Sequence, residues 1–322
     1  MNDLRRMLTS PSGLIYLAFI AIILVPWDKM GLPVITAPIA LFAGLVFAFT
    51  IKNPCPKANK KISKYLLQVA VVCLGFNMNL EKSLQSGAEG MMFTVVSVVG
   101  VMCLGILGGY WLHLQRKTAY LISSGTAICG GSAIAAVGPV LKASSDEMAV
   151  SLGVIFILNA IALFIFPPLG HMLDMTQQQF GTWAAIAIHD TSSVVGAGEA
   201  FGTEALEIAT LIKLTRALWI IPLALATMFI FRERESKISV PWFIFLFIAA
   251  MVFNTYVPMP EWFTSVMVWI ARRGMVVTLF MIGVSLSLGM IKQVGVKPLL
   301  LAVGLWVVIS LSSLFVVLQT VN

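Results

Sequence analysis

Apolar runs of about 20 residues recur along almost the entire chain, separated by short polar or Pro- and Gly-marked connections. Within a run such as Met91 to Leu112 there is no polar face at helical period, so these are not surface helices of a soluble fold. In hydrocarbon every backbone N–H and C=O must be satisfied inside the segment, which makes each run a helix. The alternating pattern of a transmembrane barrel is absent from the sequence. The pattern predicts an all-α polytopic membrane protein of about eleven segments, at 14–26, 34–51, 63–80, 91–113, 119–140, 148–170, 181–198, 209–231, 239–257, 272–289 and 298–320. Pro54 and Pro56, Pro167-Pro168, and Pro258 with Pro260 read as punctuation between segments.

Composition agrees: 59% of the 322 residues are hydrophobic, only 11% are charged, and mean hydropathy is +0.96. No polar linker divides the chain, so residues 1–322 read as a single integral membrane domain. Arg5 and Arg6 precede the first run, and Pro26-Trp27-Asp28 follows it where a signal peptide would need small residues, so that run reads as a first span or signal anchor. Lys and Arg placement gives the orientation. With the N-terminus cytoplasmic, 14 of the 21 basic residues fall on that side, while Lys29, Lys82 and Lys142 fall outside with two unusual pairs, Lys213/Arg216 and Arg272/Arg273. The chain is therefore expected to lie N-in, C-out. The net charge of +7 answers to the anionic inner leaflet and not to nucleic acid. Cys55, Cys73, Cys103 and Cys129 have no metal-like spacing and read as small side chains among apolar neighbours.

A weak internal repeat adds an architectural expectation. Val72 to Leu80, followed by Gly87, aligns with Phe280 to Leu288, followed by Gly295, at a shift of 208 residues. That shift places segments one to four on segments eight to eleven in opposite orientation, with repeat halves at roughly 14–115 and 222–320 flanking a motif-bearing region, 118–216. Inverted repeats of this kind build secondary transporters, with broken helices and the binding site near the midplane.

Three stretches depart from the apolar background. The first contains Gly125, Thr126, Cys129, Gly130, Gly131 and Ser132, and its paired glycines predict a broken helix. The half-helix beginning there would present free N–H groups and a partial positive charge to an anion. Close helix packing through small residues is the rival explanation. The second sets His189 and Asp190 beside Thr191, Ser192 and Ser193. The hydroxyls are candidate substrate ligands, Asp190 a candidate N-cap for a half-helix starting at Thr191, and His189 with Asp190 a candidate carrier of a coupling ion, proton or sodium. Simple capping of an interfacial helix end is the alternative. The third places Lys213 and Arg216 on one helical face with no acidic neighbour, so either an anionic substrate supplies the counter-charge or the pair snorkels beside Trp219. Arg272 and Arg273 pose the same choice beside Trp262 and Trp269, with snorkelling favoured.

Gly125 to Ala136, Ile188 to Val195 and Lys213-Leu214-Thr215-Arg216, in that order, resemble the YeiH-like family of bacterial inner-membrane proteins over nearly the whole chain. The resemblance implies export of sulfate or a related sulfur-containing anion, and a fold akin to bile-acid-symporter-type transporters with crossing broken helices. Where some relatives follow the acidic residue of the second motif three positions later with Gln, this chain has Ser193 after Asp190.

The expected function is thus secondary transport of a small anion, with the lipid bilayer as the other partner, a homodimer allowed and no resident cofactor. A cation/proton antiporter would want more buried carboxylates than Asp190 alone. An intramembrane hydrolase could be drawn from Ser132 and His189, but no His-Glu-x-x-His or phosphate-binding loop motif is present, and an enzyme is not expected. One conflict stands in the topology: segments five and seven would run parallel if both crossed fully, whereas an inverted pair must be antiparallel.

Overall fold

A computed structural model describes residues 10–25, 35–51, 53–231, 242–286 and 294–321. Arg5, Arg6, Pro26 to Lys29, Lys52, Arg232, Arg234, Lys237, Ser287, Leu288 and Lys292, used above for topology and the repeat, lie outside the described residues. Among the described residues every regular element is a helix, and there are no strands. Five helical stretches among the described residues are long and apolar enough to cross a membrane: 94–111, 145–172, 203–231, 261–285 and 296–320. Side chains such as Phe42, Val96, Phe229, Leu311 and Phe315 stand exposed. That much exposed apolar surface is tolerable only in a bilayer or an interface.

The chain separates into two compact units. The first takes its described residues from 1–81 and 242–288, and holds α1 (Pro11–Leu24), α2 (Ala37–Thr50), α3 (Pro56–Gly75), α12 (Trp242–Tyr256) and α13 (Glu261–Ser285). Small residues set its packing. A side-chain carbon on Gly283 of α13 would lie 2.5 Å from the Leu41 carbonyl of α2, and one on Gly44 of α2 would strike the Phe280 carbonyl. The two backbones therefore touch, as small residues allow between apolar helices. Gly75 of α3 makes the same approach to Phe247 of α12, at 2.7 Å. Tyr16, Phe47 and Phe280 fill the core between α1, α2 and α13. Asn59, fully buried, accepts from the Tyr16 hydroxyl and donates to the Met281 carbonyl and to Ser285 Oγ, each at 2.7 Å. Arg273, expected to snorkel, is only 6% exposed and lies inside this unit, while Trp262 and Trp269 are exposed.

The second unit takes its described residues from 82–241 and 289–322. It holds most of α4 (Leu80–Trp111), then α5 (Arg116–Ala127), α6 (Gly131–Val140), α7 (Ser145–Met172), α8 (Gln177–Ala187), α9 (Thr191–Phe201), α10 (Thr203–Leu218), α11 (Ile220–Phe231) and α14 (Val296–Thr320). Several expected boundaries move. α13 begins at Glu261, eleven positions before the predicted 272, because the Trp262 to Ile270 stretch continues the same helix. Pro167-Pro168, expected to punctuate a connection, lies inside α7, which continues to Met172.

The larger revision concerns segments five and seven, each of which doubles back on itself. In α5–α6, Lys117 Nζ donates to the Lys142 carbonyl at 3.0 Å, and Gly125 packs on Ile134. Both pairs are symmetric about residues 129 and 130, the signature of an antiparallel hairpin. In α8–α9, Phe180 stacks on Phe201 with centroids 3.9 Å apart, and Gln177 Oε1 accepts from the Glu204 and Ala205 N–H groups at 3.0 and 3.3 Å. Those pairs are symmetric about residues 190 and 191. Neither segment runs straight through, which removes the parallel-orientation conflict.

Candidate functional site

Each hairpin turns at one of the polar motifs. The first tip is Ile128-Cys129-Gly130, between the end of α5 and the start of α6. Gly130 adopts φ +63° and ψ −122°, a conformation that a side chain strongly disfavours. The paired glycines thus break the helix where expected. The second tip is Ile188-His189-Asp190, between α8 and α9. Asp190 is the expected N-cap: its Oδ2 accepts from the Ser192 and Ser193 N–H groups at 3.1 and 3.4 Å, and from the Ser192 hydroxyl.

The two tips meet. A side-chain carbon on Gly130 would lie 3.4 Å from Asp190 Cα and from the His189 carbonyl carbon. Long α7 supports both from one side, with Ile155 against Gly130 and Asn159 Oδ1 accepting from the His189 and Asp190 N–H groups, each at 3.1 Å. Asn159 was not foreseen. Its signal in the sequence is that it is the single amide side chain in the apolar run from Met148 to Phe166.

Helix α10 supports the tips through its cations, both fully buried. Lys213 Nζ donates to the carbonyls of Ala185 and Ile188 at 3.2 and 2.7 Å, at the C-terminal end of α8. Arg216 Nη2 donates to the Ala127 carbonyl at 2.6 Å, at the end of α5, and Nη1 to Ser97 Oγ of α4 at 3.0 Å. Each half-helix C-terminus carries a partial negative charge and unpaired carbonyls. The counter-charge missing from the sequence around Lys213 and Arg216 is thereby met by two broken helices.

The positive ends of the other half-helices face the same junction. Gly130 offers no side chain to the first-turn N–H groups of α6, where Ser132 is exposed and Gly131 half-buried. The first turn of α9 is buried, with Thr191, Ser192 and Ser193 all below 7% exposure. Around the tips several buried polar atoms have no hydrogen-bond partner: both ring nitrogens of His189, Thr126 Oγ1, Asn159 Nδ2 and Arg216 Nε. Gly125, Thr126 and Cys129 are buried in the last turn of α5 and at its tip. All the candidate residues of the three motifs therefore fall in one unit, on the two tips or on the helix that braces them. Among the described residues no cluster of His, Cys, Asp or Glu could hold a metal ion.

A family model described as conserved hypothetical protein 698 matches residues 12–302. Similar proteins include a UPF0324 membrane protein of Bacteroides thetaiotaomicron, 63% identical over 87% of this chain and 86% of the relative. Another from Porphyromonas gingivalis is 54% identical over 88% and 87%, and one from Vibrio parahaemolyticus is 46% identical over 88% and 93%. No solved structure matches. The chain belongs to this family, the YeiH-like family that its motifs resemble, and is a multi-pass membrane protein.

Proposed function

We propose that this member of the family is a secondary transporter for a small anion, sulfate or a related sulfur-containing anion, bound where the two hairpin tips meet. One observation carries the reading: two half-helix N-termini converge on a junction braced by Lys213 and Arg216, and one of them, at Gly131 and Ser132, has an open first turn. N–H groups and aligned peptide dipoles there favour a compact anion. The hydroxyls of Ser132, Thr191, Ser192 and Ser193 would orient it, the two buried cations would hold the potential positive from behind, and His189 with Asp190 would carry any coupling proton. Broken backbone at membrane depth is tolerated when protein or a wet cavity surrounds it.

The topology that goes with this reading has nine crossings and two hairpins that enter from opposite faces of the inner membrane. The first hairpin and the second stand at the two ends of α7. With the N-terminus cytoplasmic, Lys142 moves to the cytoplasmic side beside Lys117, leaving Lys29 and Lys82 as the cations of the external side. An inverted repeat fits this arrangement in circularly permuted form. In the first unit, Gly75 of α3 packs on α12 as its repeat mate Gly283 of α13 packs on α2. In the second unit, α4 leads into the first hairpin across a short turn. Its repeat mate α14 ends beside the start of the second, with Gln179 Nε2 donating to the Val321 carbonyl at 2.8 Å.

Flux of radiolabelled sulfate, sulfite, thiosulfate, organosulfonates and carboxylates into proteoliposomes tests the function. Ser132→Ala and Arg216→Gln should depress flux of the accepted anion at normal insertion. Unaltered flux in both would remove the tips as the site.

A further inference from the structure

The cations of α10 occupy a position that, in transporters built from broken helices, ordinarily suits a metal cation. Unwound carbonyls and half-helix C-termini are where such proteins coordinate a coupling sodium ion. Here the carbonyls of Ala185 and Ile188 at one tip are taken by Lys213 Nζ, and that of Ala127 at the other by the Arg216 guanidinium. Neither cation has any exposure. Asp190, the carboxylate of the tips, commits Oδ2 to the first turn of α9. We infer that Lys213 and Arg216 are tethered substitutes for coupling cations, so that the hairpin tips are held by hydrogen bonds from the chain's own side chains and the site works without sodium.

The geometry supports this at both tips. α10 reaches the end of its own neighbour α8 through Lys213 and the end of α5 through Arg216, three positions apart on one helical face. A sodium ion brought to either place would meet a fixed positive charge a few ångströms away. The two residues act as positioning residues, fixing the ends of α5 and α8, whose hairpin partners α6 and α9 offer their N-termini to the anion.

This rests on reading the tips as the transport site, and the test keeps the anion constant so that the two can fail separately. Purified protein is melted in equal concentrations of sodium, potassium and N-methylglucamine chloride. Wild type should melt at the same temperature in all three, since an ion bound only by the folded state would raise its melting point with concentration. Lys213→Ala and Arg216→Ala should melt lower and regain part of the loss with methylammonium and guanidinium respectively, but not with N-methylglucamine. A sodium-specific rise in the wild-type melting temperature would overturn the inference, and that measurement needs no variant. Absence of rescue in variants that fold would also count against it. A separate series of sodium salts, sulfate against chloride, reports on the anion reading alone.

Discussion

Asn159 offers the sharpest check on how the second tip is held. Its Oδ1 accepts from two successive backbone N–H groups, those of His189 and Asp190, and its own exposure is 3%. Asn159→Leu keeps the volume and removes the acceptor. Each buried donor left unpaired costs about 1–3 kcal/mol, and the better burial of leucine returns about 1–2 kcal/mol. The net is a loss of roughly 2 kcal/mol, concentrated at the tip because α7 itself stays helical. At about 1.4 kcal/mol per factor of ten, the tip should open on the order of 30-fold more often. Hydrogen exchange read by mass spectrometry measures that opening directly. Peptides covering 186–193 should exchange faster by about that factor, while peptides from the middle of α14 keep wild-type protection. Equal protection of 186–193 in both proteins would show that Asn159 does not hold the tip and would refute the reasoning.

Other consequences are as specific. Gly130→Ala should cost about 1–3 kcal/mol, since it forces a side chain into φ +63° and against Ile155 at 3.1 Å. Gly131→Ala, in the first turn of α6, should cost much less, and a melting series compares them. Asp190→Ala should lose about 0.5–2 kcal/mol with the cap. Asp190→Asn should retain the fold while flattening the pH dependence of flux if the carboxylate carries the proton, and an unchanged flux–pH profile would remove it from coupling. In a background free of other accessible cysteines, Lys142→Cys should react with an impermeant maleimide only from the cytoplasmic face and Ala200→Cys only from the opposite face. Labelling of both from one face would dismiss the opposed hairpins. Gly44→Val in the first unit should lower the melting temperature through its clash with the Phe280 carbonyl, yet leave the anion-induced shift intact.

Hydrophobicity alone determined that the chain is helical and crosses a membrane many times, because an apolar run in lipid has no other way to satisfy its backbone. The sequence also marked the residues that the fold gathers at the two hairpin tips and on α10. Against so apolar a background, Gly130-Gly131, His189-Asp190 and Lys213/Arg216 were visible, and the break at Gly130 and the cap by Asp190 follow from local backbone physics. What hydropathy could not separate is a span from a hairpin: residues 119–140 and 181–198 are as long and apolar as a crossing, and only contacts such as Lys117 with Lys142 or Phe180 with Phe201 reveal the return. Nor could it find the partners of the buried cations. Helix C-termini are made of backbone carbonyls, which carry no residue signature. That Lys213 and Arg216 answer two broken helices was decided by tertiary structure, because only folding brings Ala127, Ile188 and α10 together.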